Sequence, residues 1–293
     1  MSRGDRETTS GNLKRSMRDN YSDYGVDEYY RKVGATYRNP HFSGVRNCLF
    51  LWLNRWWQMS RPSMSSDNLV LFDMACGIGE VTLAVMEWWT SGRLAYDASQ
   101  APVSNSGEPA KIHPGGLAIA PIAQRRAARV SLAPPIGTDM SKPTILAADP
   151  YTSEAFRSRT SLTCAPLSFR DIAEGAIPSR SPKISVIDHE NKGSNINIES
   201  DLAPGEVLIE MVICSFALHL IETPSELFAL LWELSTKARW LIILAPHKKP
   251  DIKDGWGWCK WDVEAWSEAR VGESKGEYLQ DRVHCRVYRS LNV

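Results

Sequence analysis

The chain has no run of apolar residues approaching the ~20 that a membrane-spanning helix needs. Its first twenty residues, MSRGDRETTSGNLKRSMRDN, contain no apolar stretch of the kind a secretory signal carries. It has no charge of one sign in excess: 34 Lys+Arg stand against 34 Asp+Glu, for a formal net charge of zero. That excludes a global basic field for nucleic acid and leaves only a local patch open. Its six cysteines (Cys48, Cys76, Cys164, Cys214, Cys259, Cys285) are scattered, with no C-x-x-C pair. They read as free thiols in a reducing cytoplasm or nucleus, not as a disulfide frame or a zinc site, and no metal is expected. Residues 97–142 contain no aromatic residue.

What is present suffices for a substantial core. Apolar residues make up 43% of 293, enough for one large domain with decorations. The most informative stretch is residues 69–82, LVLFDMACGIGEVT. Leu69, Val70, Leu71 and Phe72 form a short continuous apolar run, as a buried parallel strand requires. Asp73 ends it, and a turn with Gly77 and Gly79 follows. Val81, Ala84, Val85 and Trp88 then recur at helical spacing. Strand, Gly-rich turn and helix N-terminus make a nucleotide-type site at the carboxyl end of a strand.

Further strands are expected at residues 144–149, 162–169, 210–220 and 240–245, and the alternation of Val283, Cys285 and Val287 predicts an antiparallel edge strand near the end. Thr223-Pro224-Ser225-Glu226 reads as a capping box opening a helix. Strands separated by helices imply a parallel sheet with right-handed crossovers. Residues 1–20 are expected to be disordered, residues 21–66 to form an N-terminal helical lid, and residues 97–142 and 177–205 to be flexible insertions in a domain spanning 67–293.

The spelling D-x-A-C-G-x-G-E-x-T resembles motif I of the class I methyltransferases, which use S-adenosylmethionine (SAM). The rival, a nicotinamide-binding Rossmann turn, prefers G-x-G-x-x-G/A, and here Thr82 holds the third position. The resemblance implies an α/β fold: a doubly wound, mostly parallel seven-stranded sheet with helices on both faces, in the order 3-2-1-4-5-7-6. It implies cofactor contacts at Asp73, Ala75, Cys76, Gly77, Gly79 and Glu80, with Asp149 for the ribose, Asp171 near the adenine and Ser215 beside the fourth strand. It places His219 as a candidate general base. Tyr30 and Arg38 of the lid, with His247, Trp256 and Trp258 of the loop after the fifth strand, are expected around the acceptor. Lys and Trp interleave in that loop, which suits a flat small molecule or, as runner-up, RNA with Lys248 and Lys249 on phosphates. The function expected is methyl transfer to N or O of a small molecule. An RNA or protein methyltransferase and a non-catalytic SAM-fold scaffold are the alternatives.

Overall fold

The structure is a computed structural model that describes residues 25, 28–29, 32–33, 38–61, 68–101, 132–178, 208–270 and 276–293. Its centre is an eight-stranded sheet. The strands are β1 (Val70–Met74), β2 (Thr144–Ala148), β3 (Ile209–Ser215), β4 (Ala238–Ala245), β5 (Trp258–Asp262), β6 (Ser267–Glu268), β7 (Tyr278–Gln280) and β8 (Val283–Ser290). Their order is β2-β1-β3-β4-β8-β5-β6, with β7 paired to β8. The first four run parallel. β8 is antiparallel to β4, and β5 is antiparallel to β8.

The helices are α1 (Phe42–Met59), α2 (Glu80–Gln100), α3 (Ser153–Thr160), α4 (Phe169–Ala173) and α5 (Pro224–Ser235). Both faces of the sheet are covered, and the period-two alternation of the strands decides which residue goes where. Leu71 and Ile213 share one core with Val45, Leu49, Trp52 and Leu53 of α1 and with Val81, Val85 and Trp88 of α2. Phe72 and Val212 point the other way, into a core with Ile172 of α4 and Leu227, Leu230, Leu231 and Leu234 of α5. Two indoles are anchored by polar partners inside the first core. Trp56 Nε1 donates to the buried Glu210 carboxylate at 2.9 Å, and Trp88 Nε1 donates to Asn54 Oδ1 at 2.8 Å. α5 begins as its sequence predicts: Pro224 sits in the first turn and Thr223 Oγ1 accepts from the Glu226 amide at 3.2 Å.

The architecture departs from the expected seven strands in four places. Residues 162–169 form no strand; their pairing with β2 is one parallel bridge, Ala148 to Ala165, after which the chain turns into α4. A Ser168–Asp171 capping box starts that helix and so ends the extended run. The strand near the end, β8, is no edge, because it is paired on both sides by β4 and β5, and the antiparallel edge is β5–β6. Within the segment expected as a lid, residues 42–59 form a core helix: Val45, Cys48, Leu49, Phe50, Trp52, Leu53 and Trp56 are completely buried against the sheet and α2.

The fourth departure concerns the first insertion. α2 continues to Gln100, and residues 132–142 pack back on it: Ile136 is fully buried, with its amide donating to the Gly92 carbonyl at 3.0 Å. A Cβ on Gly92 would lie 2.5 Å from Ile136 side-chain atoms, so Gly92 makes that approach possible. The remainder of the two expected insertions and residues 1–20 lie outside the described residues. Ile136→Ala should therefore cost roughly 2–5 kcal/mol, as buried large-to-small changes do. Denaturant unfolding measures this, and a loss below about 0.5 kcal/mol, the usual surface range, would show that the segment is not packed.

Candidate functional site

The carboxyl ends of β1, β2 and β3 open into a cavity of about 990 Å³. Asp73, Ala75, Cys76, Gly77, Glu80, Asp149 and Ser215 all line it. The turn between β1 and α2 is built from left-handed backbone: Ala75 has φ 56°, Gly77 54° and Gly79 93°. The two glycines have different tasks. A Cβ on Gly77 would meet only Glu80 Oε2, at 3.8 Å, so that position borders open space. A Cβ on Gly79 would strike Thr160 Cγ2 at 2.5 Å and the Phe156 ring at 3.1 Å. Gly79 thus lets α3 pack against the turn and does not line the cavity.

Asp73 carries the electrostatics of the site. Its Oδ2 accepts from the Thr82 amide at 3.1 Å and from Thr82 Oγ1 at 2.7 Å. Its Oδ1 is buried without a hydrogen-bond partner among the described residues. A buried carboxylate oxygen left unpaired costs more than the bond it could make returns, so the atom is primed for a donor from the cavity. Burial pushes the Asp73 carboxyl up to about 7, against the lowering effect of Thr82, with the nearby Glu80 and Asp149 charges adding to the rise. Ser215 Oγ is a second cavity-side polar atom without a partner among the described residues.

Asp149 holds the turn in place. Its Oδ2 accepts from the Gly77 amide at 3.1 Å; its Oδ1 accepts from the amides of Tyr151 at 2.9 Å and Thr152 at 3.1 Å. A carboxylate offers about four acceptor sites, and these amides take three of them. Desolvation raises the Asp149 carboxyl above its ordinary value, against those bonds. Glu80 is paired with Arg159 Nη1 at 3.0 Å. Asp171 does not line the cavity. Its Oδ2 accepts from the Ser168 amide at 2.7 Å and from Ser168 Oγ at 2.6 Å, and it caps α4. Its neighbours Ser168, Phe169 and Arg170 line the cavity in its place.

The acceptor residues expected from the sequence are not brought together. Trp258 is buried beneath α5, its Nε1 donating to the Leu231 carbonyl at 2.7 Å. Trp256 packs edge-on to Phe228 of α5 at 6.0 Å. Loop 246–257 therefore folds down the α5 face and not over the strand ends. Arg286 fixes that course by donating to the carbonyls of Lys248, Lys249 and Pro250 at 2.7–2.9 Å. Burying the indoles removes more apolar area from water than a lid position would. His247 and Arg38 are exposed and do not line the cavity, and Tyr30 lies outside the described residues. His219 sits in a short 3-10 turn whose neighbours Ala217 and Leu220 do line it. Desolvation, then the nearby His247, lowers the His219 imidazole.

Phe216 and Thr152 are among the wall residues that escaped the sequence reading. Phe216 has φ 58°, lines the cavity and stacks on His41 with centroids 5.4 Å apart. A strained bulky residue at a strand end marks a constrained site, but nothing in the one-letter pattern signals it. Thr152 donates from Oγ1 to the Gly77 carbonyl at 2.5 Å, a contact that follows from the long-range placement of β2.

These features define an α/β protein with a mostly parallel sheet and an acid-lined cavity at its strand ends. The chain is 36% identical over 282 residues to Uncharacterized protein C17A5.05c of Schizosaccharomyces pombe, covering 96% of this chain and 95% of that one. It belongs to the same family as that protein. No protein-family model matches the chain. Among solved structures it is similar to magnesium protoporphyrin IX methyltransferase (ChlM) from Synechocystis PCC 6803 with bound SAM. That match has a TM-score of 0.34 and 13% identity over 93% of this chain and 94% of the other. A match this loose bears on neither fold nor function. Among the described residues no helix is long and apolar enough to cross a membrane, and no group of three or more His, Cys, Asp or Glu could hold a metal ion.

The raised Asp73 carboxyl makes stability pH-dependent with a definite sign. Its folded value, about 7, lies above its unfolded one. The folded state therefore holds the proton longer, and this group's stabilisation is lost as pH rises from about 4 to 7. Asp73→Asn keeps a carbonyl oxygen for Thr82 and removes the titration. Denaturant midpoints of the wild type should fall relative to Asp73→Asn across that window. A constant difference would show that Asp73 is ionised throughout.

Proposed function

We propose that this chain is a SAM-dependent methyltransferase acting on a nitrogen or oxygen of a small molecule. The observation that carries the reading is the unpaired Asp73 Oδ1 on the cavity wall behind Gly77. A primary ammonium, such as the methionine end of SAM bears, supplies the missing donor. Asp149, which also lines the cavity, suits a ribose hydroxyl. The carboxylates Asp73, Glu80 and Asp149 make the turn unfavourable for a pyrophosphate and tolerable for SAM, which has no phosphate. About 990 Å³ is at the upper end of the roughly 300–1,000 Å³ of small-molecule sites, enough for cofactor and acceptor together.

When bound, SAM supplies an electrophilic methyl group on a sulfonium. The chain's own residues bind, orient and exclude water. Asp73 holds the amino-acid end. Ser215 Oγ and the Phe216–His41 stack border the side from which an acceptor would approach. His219, whose imidazole desolvation lowers, does not itself line the cavity but is a candidate proton acceptor beside the lining residues Ala217 and Leu220. One observation favours a small molecule over RNA. Among the described residues the cavity walls carry Glu28, Glu174, Glu222 and Glu226 against one cation, Arg170, which pairs with Glu226 at 3.5 Å; that acidic balance repels a polyanion.

Calorimetry should show binding of SAM and of S-adenosylhomocysteine and none of NADH. Binding of NADH without SAM would overturn the reading. Ser215→Ala should weaken SAM or acceptor binding several-fold without loss of stability. Radiolabelled methyl from SAM should enter a small-molecule pool from a host extract, and label confined to RNA or protein would overturn the acceptor class.

A further inference from the structure

We propose that Cys76 and Cys164 form a reversible disulfide that reports peroxide to the Gly-rich turn. Their sulfurs lie 3.4 Å apart, each in a nearly buried residue. A disulfide needs about 2.05 Å between sulfurs, so closure takes a movement of roughly 1.4 Å. Both cysteines sit on elements that hold the cavity. Cys76 lies between the left-handed residues Ala75 and Gly77 and lines the cavity. Its amide donates to the Ala148 carbonyl, and its carbonyl accepts from the Gly79 amide. Cys164 precedes the bridge between Ala165 and β2 and accepts from Ser153 Oγ at 3.7 Å. Hydrogen bonds from Cys76 and Ser153 lower the Cys164 thiol, whereas burial raises the Cys76 thiol. Cys164 is therefore the first nucleophile.

The step balances with a hydroperoxide as oxidant. The Cys164 thiolate attacks one oxygen of hydrogen peroxide. The O–O bond breaks, hydroxide leaves, and a sulfenic acid forms. The Cys76 sulfur then attacks that sulfur, the S–O bond breaks, and a second hydroxide leaves. The two thiol protons convert both hydroxides to water, and two electrons pass from the thiols to the peroxide. Closure draws Cys76 toward Cys164 and with it the Gly77 amide, which Asp149 Oδ2 holds at 3.1 Å. Cys76 and Gly77 both line the cavity, so the shift changes the wall presented to the cofactor. Cys48 and Cys285, a second neighbouring thiol pair, form the internal control: both are fully buried and neither lines the cavity, whereas the proposed pair reaches it through Cys76.

The effect on the cofactor rests on the SAM reading, whereas the disulfide itself does not. The full-length protein is treated with hydrogen peroxide, digested under non-reducing conditions and mapped by mass spectrometry. A peptide joining Cys76 to Cys164 is expected, absent in Cys164→Ser and reversed by dithiothreitol. SAM affinity should fall about tenfold on oxidation in the wild type and not in Cys164→Ser, and bound SAM should slow the cross-link. Free Cys76 and Cys164 after treatment, or a cross-link elsewhere, would overturn the proposal. So would a cross-link that leaves SAM affinity unchanged. A cross-link in a protein that never binds SAM when reduced would overturn the cofactor assignment and leave the redox pair standing.

Discussion

The structure depends on one buried carboxylate. Asp73 ends β1, and its Oδ2 accepts two hydrogen bonds from Thr82 in the first turn of α2. Those bonds set the distance between strand end and helix start, and so the shape of the turn between them. The turn in turn positions Gly77, which Asp149 of the neighbouring strand end grips through its amide. Two acids on adjacent parallel strands thus hold the same loop from opposite sides. The cost is a charge in a place that disfavours it, which is why the Asp73 carboxyl is raised to about 7. A cationic donor in the cavity would offset that cost by filling the empty valence of Oδ1.

The rest of the sheet supports this edge. β3 and β4 extend the parallel core, and β8 closes it by running antiparallel between β4 and β5. α1 and α2 cover one face and α5 the other, so the strand ends are the one region where a recess can form without exposing apolar core. The tryptophans belong to this support. Trp52, Trp240, Trp261 and Trp266 pack on one another at 5.3–6.0 Å, and Trp258 is sealed beneath α5. Their area serves the core, while the cavity takes its aromatic surface from Tyr151, Phe169 and Phe216.

The parts legible in the sequence were those with a strong local signal. The run of residues 69–72 and the apolar stretches at residues 210–215 and 240–245 are strands because continuous apolar character fits burial on both faces, whereas residues 216–220, expected in the same strand, leave it for a 3-10 turn. Thr223 and Pro224 mark the start of α5 because cap chemistry is local. The failures have physical causes too. Residues 162–169 look extended, but Ser168 and Asp171 cap a helix and cut the strand short. Residues 132–142 look like linker, yet Ile136 and Met140 fill a gap that only the length of α2 creates. The alternation in β8 shows a strand and not its neighbours; its place between β4 and β5 came only from the strand order that the resemblance implies. Around the cavity, Asp73 and Gly77 stand out because one turn must hold an acid and an open approach together. Phe216 and Thr152 reach it through long-range packing, which no short pattern encodes.

The central claim is that burial raises the Asp73 carboxyl to about 7, so that it is partly protonated at neutral pH until a cationic ligand fills its free valence. Calorimetry of SAM binding at pH 7, repeated in buffers of different ionisation enthalpy, counts the protons exchanged. The account predicts release of a substantial fraction of a proton per SAM bound in the wild type, and none in Asp73→Asn, with weaker binding in that variant. Equal proton exchange in the two proteins, or none in either, would contradict it.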